Sequence, residues 1–156
     1  VYTIAAYHDT GLCEGREFHH IASGRILAAD SFLREFFSSE QIETMREAVE
    51  DPRASSKSAP RTIYGRIVAE ADRCIDPMTV IRRTVQFSLK HYPELTIEGH
   101  FKRCHDHLIE KYGRDGYLKL WIPQSNNAQR LAELQTIADD IPTLRAIFET
   151  IYAEEQ

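Results

Sequence analysis

Helix punctuation is the feature that most limits what this chain can become. Ser38 with Gln41 three residues later forms a capping-box pattern, and Asp76-Pro77 pairs a cap with a proline at the first helical position. Ser125 caps a further run, Pro142 starts the last one, and Gly113 stops another. Between these marks, apolar residues recur at helical intervals of three and four, while strand-like alternation is almost absent. The spacing predicts helices over about 1–9, 17–29, 39–51, 61–74, 77–91, 97–112, 126–139 and 142 onward. Asp30-Ser31 caps a short turn through Phe37, and "GYLKLW" reads as a short extended piece. The expected class is all-α. The loops between elements are short, so one domain over 1–156 is expected.

Composition narrows the function classes. A net charge of −5 disfavours an extended nucleic-acid surface, although a local basic patch is allowed. No apolar run reaches the roughly 20 residues of a membrane span. The three cysteines, Cys13, Cys74 and Cys104, are odd in number and far apart, which suits a reducing, cytoplasmic compartment rather than a disulfide framework. Val1 to Ala6 reads as the inside of a buried element with no cap before it, so the domain is expected to be incomplete at its N-terminus.

Chemistry enters at "YHDTGL". His8 lies four residues from Ile4 and four from Leu12, which on a helix places it on an apolar ladder. Asp9 points about 100° further round. Both can reach an ion lodged between them, and an ion is one way to compensate a buried carboxylate; a hydrogen-bonded His–Asp pair is the plainer reading. A second dipeptide, His105-Asp106, has charged flanks and reads as a solvated face. On the segment "RTIYGRIVAEADRC", Ile63, Ile67, Ala71 and Cys74 form the expected apolar stripe. Asp72 falls at its edge, four residues after Val68 and seven after Gly65, whose missing side chain leaves room beside the carboxylate. Asp72 is therefore a ligand candidate, with pairing to Arg61 or Arg73 as the plainer alternative. The loop "DPRASSKSAPR" gathers Arg53, Lys57 and Arg61 with serines, a set suited to phosphate oxygens because guanidinium donors form a matching fork.

Taken in order, "AAYHDTGL", "REFHH", "AVEDPRASSK", "PRTIYGRIVAEADR" and "EKYGRDGYLKLW" resemble the HD-domain superfamily of metal-dependent phosphohydrolases over essentially the whole chain. The resemblance implies an HD-like helical bundle. It also implies a metal motif of one histidine, a His-Asp pair and a distant aspartate. His8 and Asp9 match the pair and Asp72 the distant aspartate. Residues 1–7 hold no counterpart of the first histidine. Relatives usually read Asp-His-Arg where this chain has Asp51-Pro52-Arg53, and proline cannot ligate, which weighs against a complete two-metal centre. His19 or His20 is then the candidate for a second ion or for substrate, with one of the two expected to face inward.

The implied reaction is hydrolysis of a nucleotide or other phosphate ester by metal-activated water. Asp9 would ligate and accept the water's proton. Arg73 and Arg53, with Lys57 and Arg61, would balance phosphate charge. Nitrogen and oxygen donors suit Mn, Fe, Co, Ni, Zn or Mg. "HDTG" lacks the acidic pair that follows His-Asp in alarmone hydrolases. The expected partner is a small phosphorylated, nucleotide-like molecule, with self-association left open. The rival expectation is a catalytically impaired HD-like module that binds a nucleotide or a protein partner.

Overall fold

A computed structural model describes residues 1–51 and 58–156. The described residues are all-α. Eight α-helices run in order: α1 (Tyr2–Tyr7), α2 (His19–Ala29), α3 (Ser39–Glu50), α4 (Ile63–Ala71), α5 (Pro77–His91), α6 (Ile97–Tyr112), α7 (Asn126–Asp139) and α8 (Ile141–Glu155). Two 3-10 turns, Thr10–Glu14 and Ser31–Glu35, follow α1 and α2. No helix among the described residues is long and apolar enough to cross a membrane.

The caps form as their chemistry requires. Ser38 accepts from the Gln41 N–H at 3.3 Å and the Gln41 side chain accepts from the Ser38 N–H at 2.9 Å, closing the box. Asp76 accepts from both the N–H and the hydroxyl of Thr79, at 2.9 and 2.7 Å. Ser125 accepts from the Ala128 N–H at 3.2 Å. Two further caps, Thr62 on α4 and Thr96 on α6, take the N–H groups of Gly65 and Gly99. "GYLKLW" has no helix or strand among the described residues; Tyr117 and Leu118 donate back to the carbonyls of Glu110 and Lys111 at the end of α6.

Contacts along the chain group into two compact units, Val1–Arg73 and Cys74–Gln156. A short loop governs which elements are neighbours in sequence, not which of them share a core.

In the first unit, Ile4, Leu27, Leu33, Ile42, Met45, Ala48, Val49 and Val68 make one apolar cluster drawn from α1 to α4, with Tyr7 and Phe37 packed against it. Each large side chain fully buried there contributes roughly 1.5–3 kcal/mol. The Tyr7 hydroxyl donates to Asp30, tying α1 to the end of α2. In the second unit, Ile81 and Val85 of α5 and Phe101, Cys104 and Leu108 of α6 are buried. They share that state with Leu134 and Ala138 of α7 and Leu144, Phe148 and Ile151 of α8. Buried His100 meets the Ser88 hydroxyl at 2.7 Å, which satisfies both groups between α5 and α6.

Candidate functional site

The site in the first unit begins where α1 ends. The helix predicted through position 9 stops at Tyr7, and His8 is its C-cap. The ladder Ile4–His8–Leu12 therefore does not form. Ile4 is buried, His8 is half-buried, and Leu12 is 46% exposed. The 3-10 turn Thr10–Glu14 redirects the chain, and Gly11 makes this possible. A β-carbon there would lie 2.2 Å from the His19 carbonyl oxygen and 2.5 Å from the Ser23 nitrogen. The Gly11 N–H donates to the Ser23 hydroxyl at 2.8 Å. That close approach lays the turn on the start of α2 and sets Asp9 beside His19.

Three separations describe the result. His8 Nε2 is 3.5 Å from Asp9 Oδ2 and 3.6 Å from Asp72 Oδ1, and His19 Nε2 is 3.3 Å from Asp9 Oδ1. The other ring nitrogens are engaged: His8 Nδ1 is 2.7 Å from the Ala5 carbonyl and His19 Nδ1 is 2.8 Å from the Arg16 carbonyl. A carbonyl oxygen only accepts, so each Nδ1 carries the proton, and in the neutral ring each Nε2 presents a lone pair. Lone pairs facing carboxylate oxygens repel. A cation among them would remove that repulsion.

The spacing itself fits a cation. Around a tetrahedral ion with ligands at about 2.0–2.2 Å, donor atoms stand about 3.3–3.6 Å apart. The backbone-anchored imidazole is also the usual arrangement of a ligating histidine. What is not found among the described residues is a group of three or more His, Cys, Asp and Glu side chains converged on one ion position. The approaches form a chain, from His19 to Asp9 to His8 to Asp72, with the two Asp9 oxygens turned to different imidazoles. The donor types, tautomers and pair distances thus fit a divalent ion. Convergence would require turning Asp9 and Asp72, whose side chains are 51% and 66% exposed.

These residues line a cavity of about 330 Å³ with Arg16, His20, Asp51, Gly65 and Arg73. Both histidines of the doublet line it, where one was expected. His20 reaches it from the next position on α2, its ring edge-on to His19 at 5.8 Å.

Asp72 arrives by a route other than the expected one. The stripe read as Ile63, Ile67, Ala71 and Cys74 is not the buried face, since Ile63 is 56% exposed and Ala71 and Cys74 are exposed. Gly65 and Val68 are buried instead, and Asp72, at seven and four residues on, continues that face as the C-cap of α4. The space at Gly65 belongs to Asp51 rather than Asp72: a β-carbon there would lie 2.4 Å from Asp51 Oδ2.

Asp51 is the acidic residue that sequence reasoning missed. It extends the Met45–Ala48 stripe of α3 by three residues, the one signal that could have found it. Its buried carboxylate accepts from the Arg61 N–H at 2.9 Å and from Arg61 Nε at 2.8 Å. Arg61 also donates to the Glu47 carbonyl at 2.7 Å. Arg61, expected to bind phosphate, is therefore committed to Asp51 and does not line the cavity. Its guanidinium pKa is raised, first by that hydrogen bond. Arg73 does line the cavity; its side chain is mostly buried and lies 4.0 Å from Glu70. Burial lowers the Arg73 pKa, against the opposing charges of Glu70 and Asp72. Arg16, also on the wall, carries no periodic signal in the sequence. Pro52, Arg53 and Lys57 lie outside the described residues. His105-Asp106 behaves as its flanks suggested, with exposed Asp106 paired to Lys102.

No protein-family model, curated protein or solved structure matches this chain at a significant level.

Proposed function

We propose that the chain is an HD-like metal-dependent phosphohydrolase acting on a nucleotide or other small phosphate ester. The observation that carries this reading is the approach of His8, Asp9, His19 and Asp72 at ligand-to-ligand distances within one open cavity. His8, Asp9 and Asp72 would hold one divalent ion (Mn, Fe, Co, Ni, Zn or Mg). His19, facing the other Asp9 oxygen, would serve a second ion or the substrate, with His20 beside it. A bound ion would supply a water of lowered pKa and polarise a phosphoryl oxygen. The chain's own groups do the rest. Asp9 would hold a proton from water, and Arg73, on the cavity wall, would supply positive charge against phosphate oxygens. Arg53 and Lys57 remain phosphate-binding candidates by residue type. A cytoplasmic location is the compartment that the three free cysteines suit.

The rival reading is a helical module that keeps these side chains as a relic and binds a nucleotide or a partner. It is favoured by the lack, among the described residues, of a converged donor group. Titration with Co(II), followed by its ligand-field spectrum, separates the two, alongside hydrolysis of a phosphomonoester and phosphodiester panel with each metal. The enzyme reading expects a saturable spectrum that Asp72→Ala weakens at least tenfold, together with metal-dependent turnover. A wild-type chain that takes up no Co(II) and hydrolyses nothing would leave the relic.

A further inference from the structure

The second unit contains a cavity of about 320 Å³ between α5 and α6, and its charge is one-sided. Arg83 lines it from α5, and Arg103, His107 and Lys111 line it from α6 at successive steps of four residues. Steps of four keep the three side chains on one helix face. Among the described residues, no carboxylate lines the cavity. This is unusual for the molecule, which carries 24 acidic against 19 basic side chains. Elsewhere Arg25, Arg46, Arg61, Arg82, Arg114 and Arg145 all pair with carboxylates.

The cavity's cations do not. Arg83 makes no ion pair among the described residues. Arg103 stacks on the Tyr92 ring at 3.7 Å, and its Nε is buried with no hydrogen-bond partner among the described residues. Lys111 lies over the Tyr112 ring at 5.0 Å. The His107 imidazole is pushed below its ordinary value by burial and by the charge of Lys111, with that of Arg103 adding and Glu110 opposing. A buried donor left unmade costs about 1–3 kcal/mol, and like charges gathered in a concavity repel. A ligand that accepts from these groups removes both costs.

We propose that this cavity binds a small phosphate-bearing molecule, a site independent of the metal reading above. Phosphate is preferred to a carboxylate on charge count. A phosphate monoester brings about −1.5 to −2 charges and three acceptor oxygens near pH 7, where one carboxylate brings a single charge. Arg83 and Arg103 offer planar forks for those oxygens, and Lys111 offers a mobile ammonium. Phe87, half-exposed on the same wall, gives the rest of the molecule an apolar surface. The volume stands at the small end of ligand pockets, about 300–1,000 Å³, which suits an occupant about the size of a nucleoside monophosphate.

Isothermal titration of the full chain with inorganic phosphate and with adenosine monophosphate, in metal-free chloride buffer, tests the site. Saturable binding at one site is expected, weakened at least tenfold by Arg83→Glu and unchanged by Asp72→Ala. Arg83 is exposed and makes no ion pair among the described residues, so its variant is expected to fold; circular dichroism checks this, and Lys111→Gln is a second variant on the other helix. The His107 ring resonances are expected to shift on phosphate addition. Absence of saturable binding by either probe would overturn the proposal, as would equal affinity in folded Arg83→Glu and Lys111→Gln. Affinity that grows with oligonucleotide length would overturn it in favour of an extended surface.

Discussion

The cavity of the first unit and that of the second are lined by opposite chemistry. In the first, Asp9 and Asp72 approach imidazole Nε2 atoms whose rings turn Nδ1 to backbone carbonyls, with Arg16 and Arg73 on the same wall. In the second, Arg83, Arg103 and Lys111 share a wall without a carboxylate, and the surplus is of donors. The proposed occupant is a cation in the first and a phosphate in the second. The lesson is that pairing, not net charge, marks a site. Arg61 with Asp51, and Arg145 bidentate on Glu98, are as charged as either cavity yet are complete in themselves.

The contrast can be broken at several points. The largest effect is expected from Gly11→Val. Its side chain would collide with backbone atoms of α2 that cannot yield, which costs about 3 kcal/mol in chemical denaturation. It would also separate Asp9 from His19, so Co(II) uptake should fall with it. Next comes the pair of aspartates. Asp51→Ala strands Arg61 and is expected to cost about 2 kcal/mol. Asp72→Ala, at an exposed carboxylate, should leave stability within about 0.5 kcal/mol of wild type and, on the proposed function, weaken Co(II) uptake. If the two variants behaved alike in both measurements, the distinction between a structural and a ligating carboxylate would be lost.

In the second unit, Asp76→Ala removes the acceptor for Thr79 and should cost about 1 kcal/mol of thermal or chemical stability without altering phosphate binding. The smallest effect concerns pH. Donation to Asp30 raises the Tyr7 pKa, with burial adding, and the same bond, followed by the Phe32 N–H, lowers that of Asp30. The bond's contribution is therefore whole between the ordinary Asp and Tyr ranges, about pH 4 to 10. It is lost as pH falls through the lowered Asp30 value, and lost again as pH rises through the raised Tyr7 value. Tyr7→Phe is expected to flatten both limbs of the stability–pH profile slightly.

Helices were legible because their signals are local. A serine or aspartate cap bonds an N–H three residues away, and nothing distant is needed to form it. The His8-Asp9 pair was legible by type, and Asp72 by its intervals from Gly65 and Val68. The faces were not. Reading Ile63 and Ile67 as the buried stripe of α4 failed because two apolar faces compete on that helix, and only the neighbours decide between them. Asp51 was passed over because a carboxylate at the end of an acidic run looks solvated until Arg61 folds back onto it from ten residues away. The cationic wall escaped notice because its members divide between two helices.

By itself, then, the sequence determined the all-α class and the caps of α3, α5 and α7, since these depend on interactions within a few residues. Tertiary structure alone decided that Asp9 meets His19, that Asp51 rather than Asp72 fills the space at Gly65, and that four separate basic side chains of α5 and α6 face one cavity. Each of those depends on which surfaces pack together, and packing is set by the whole fold at once.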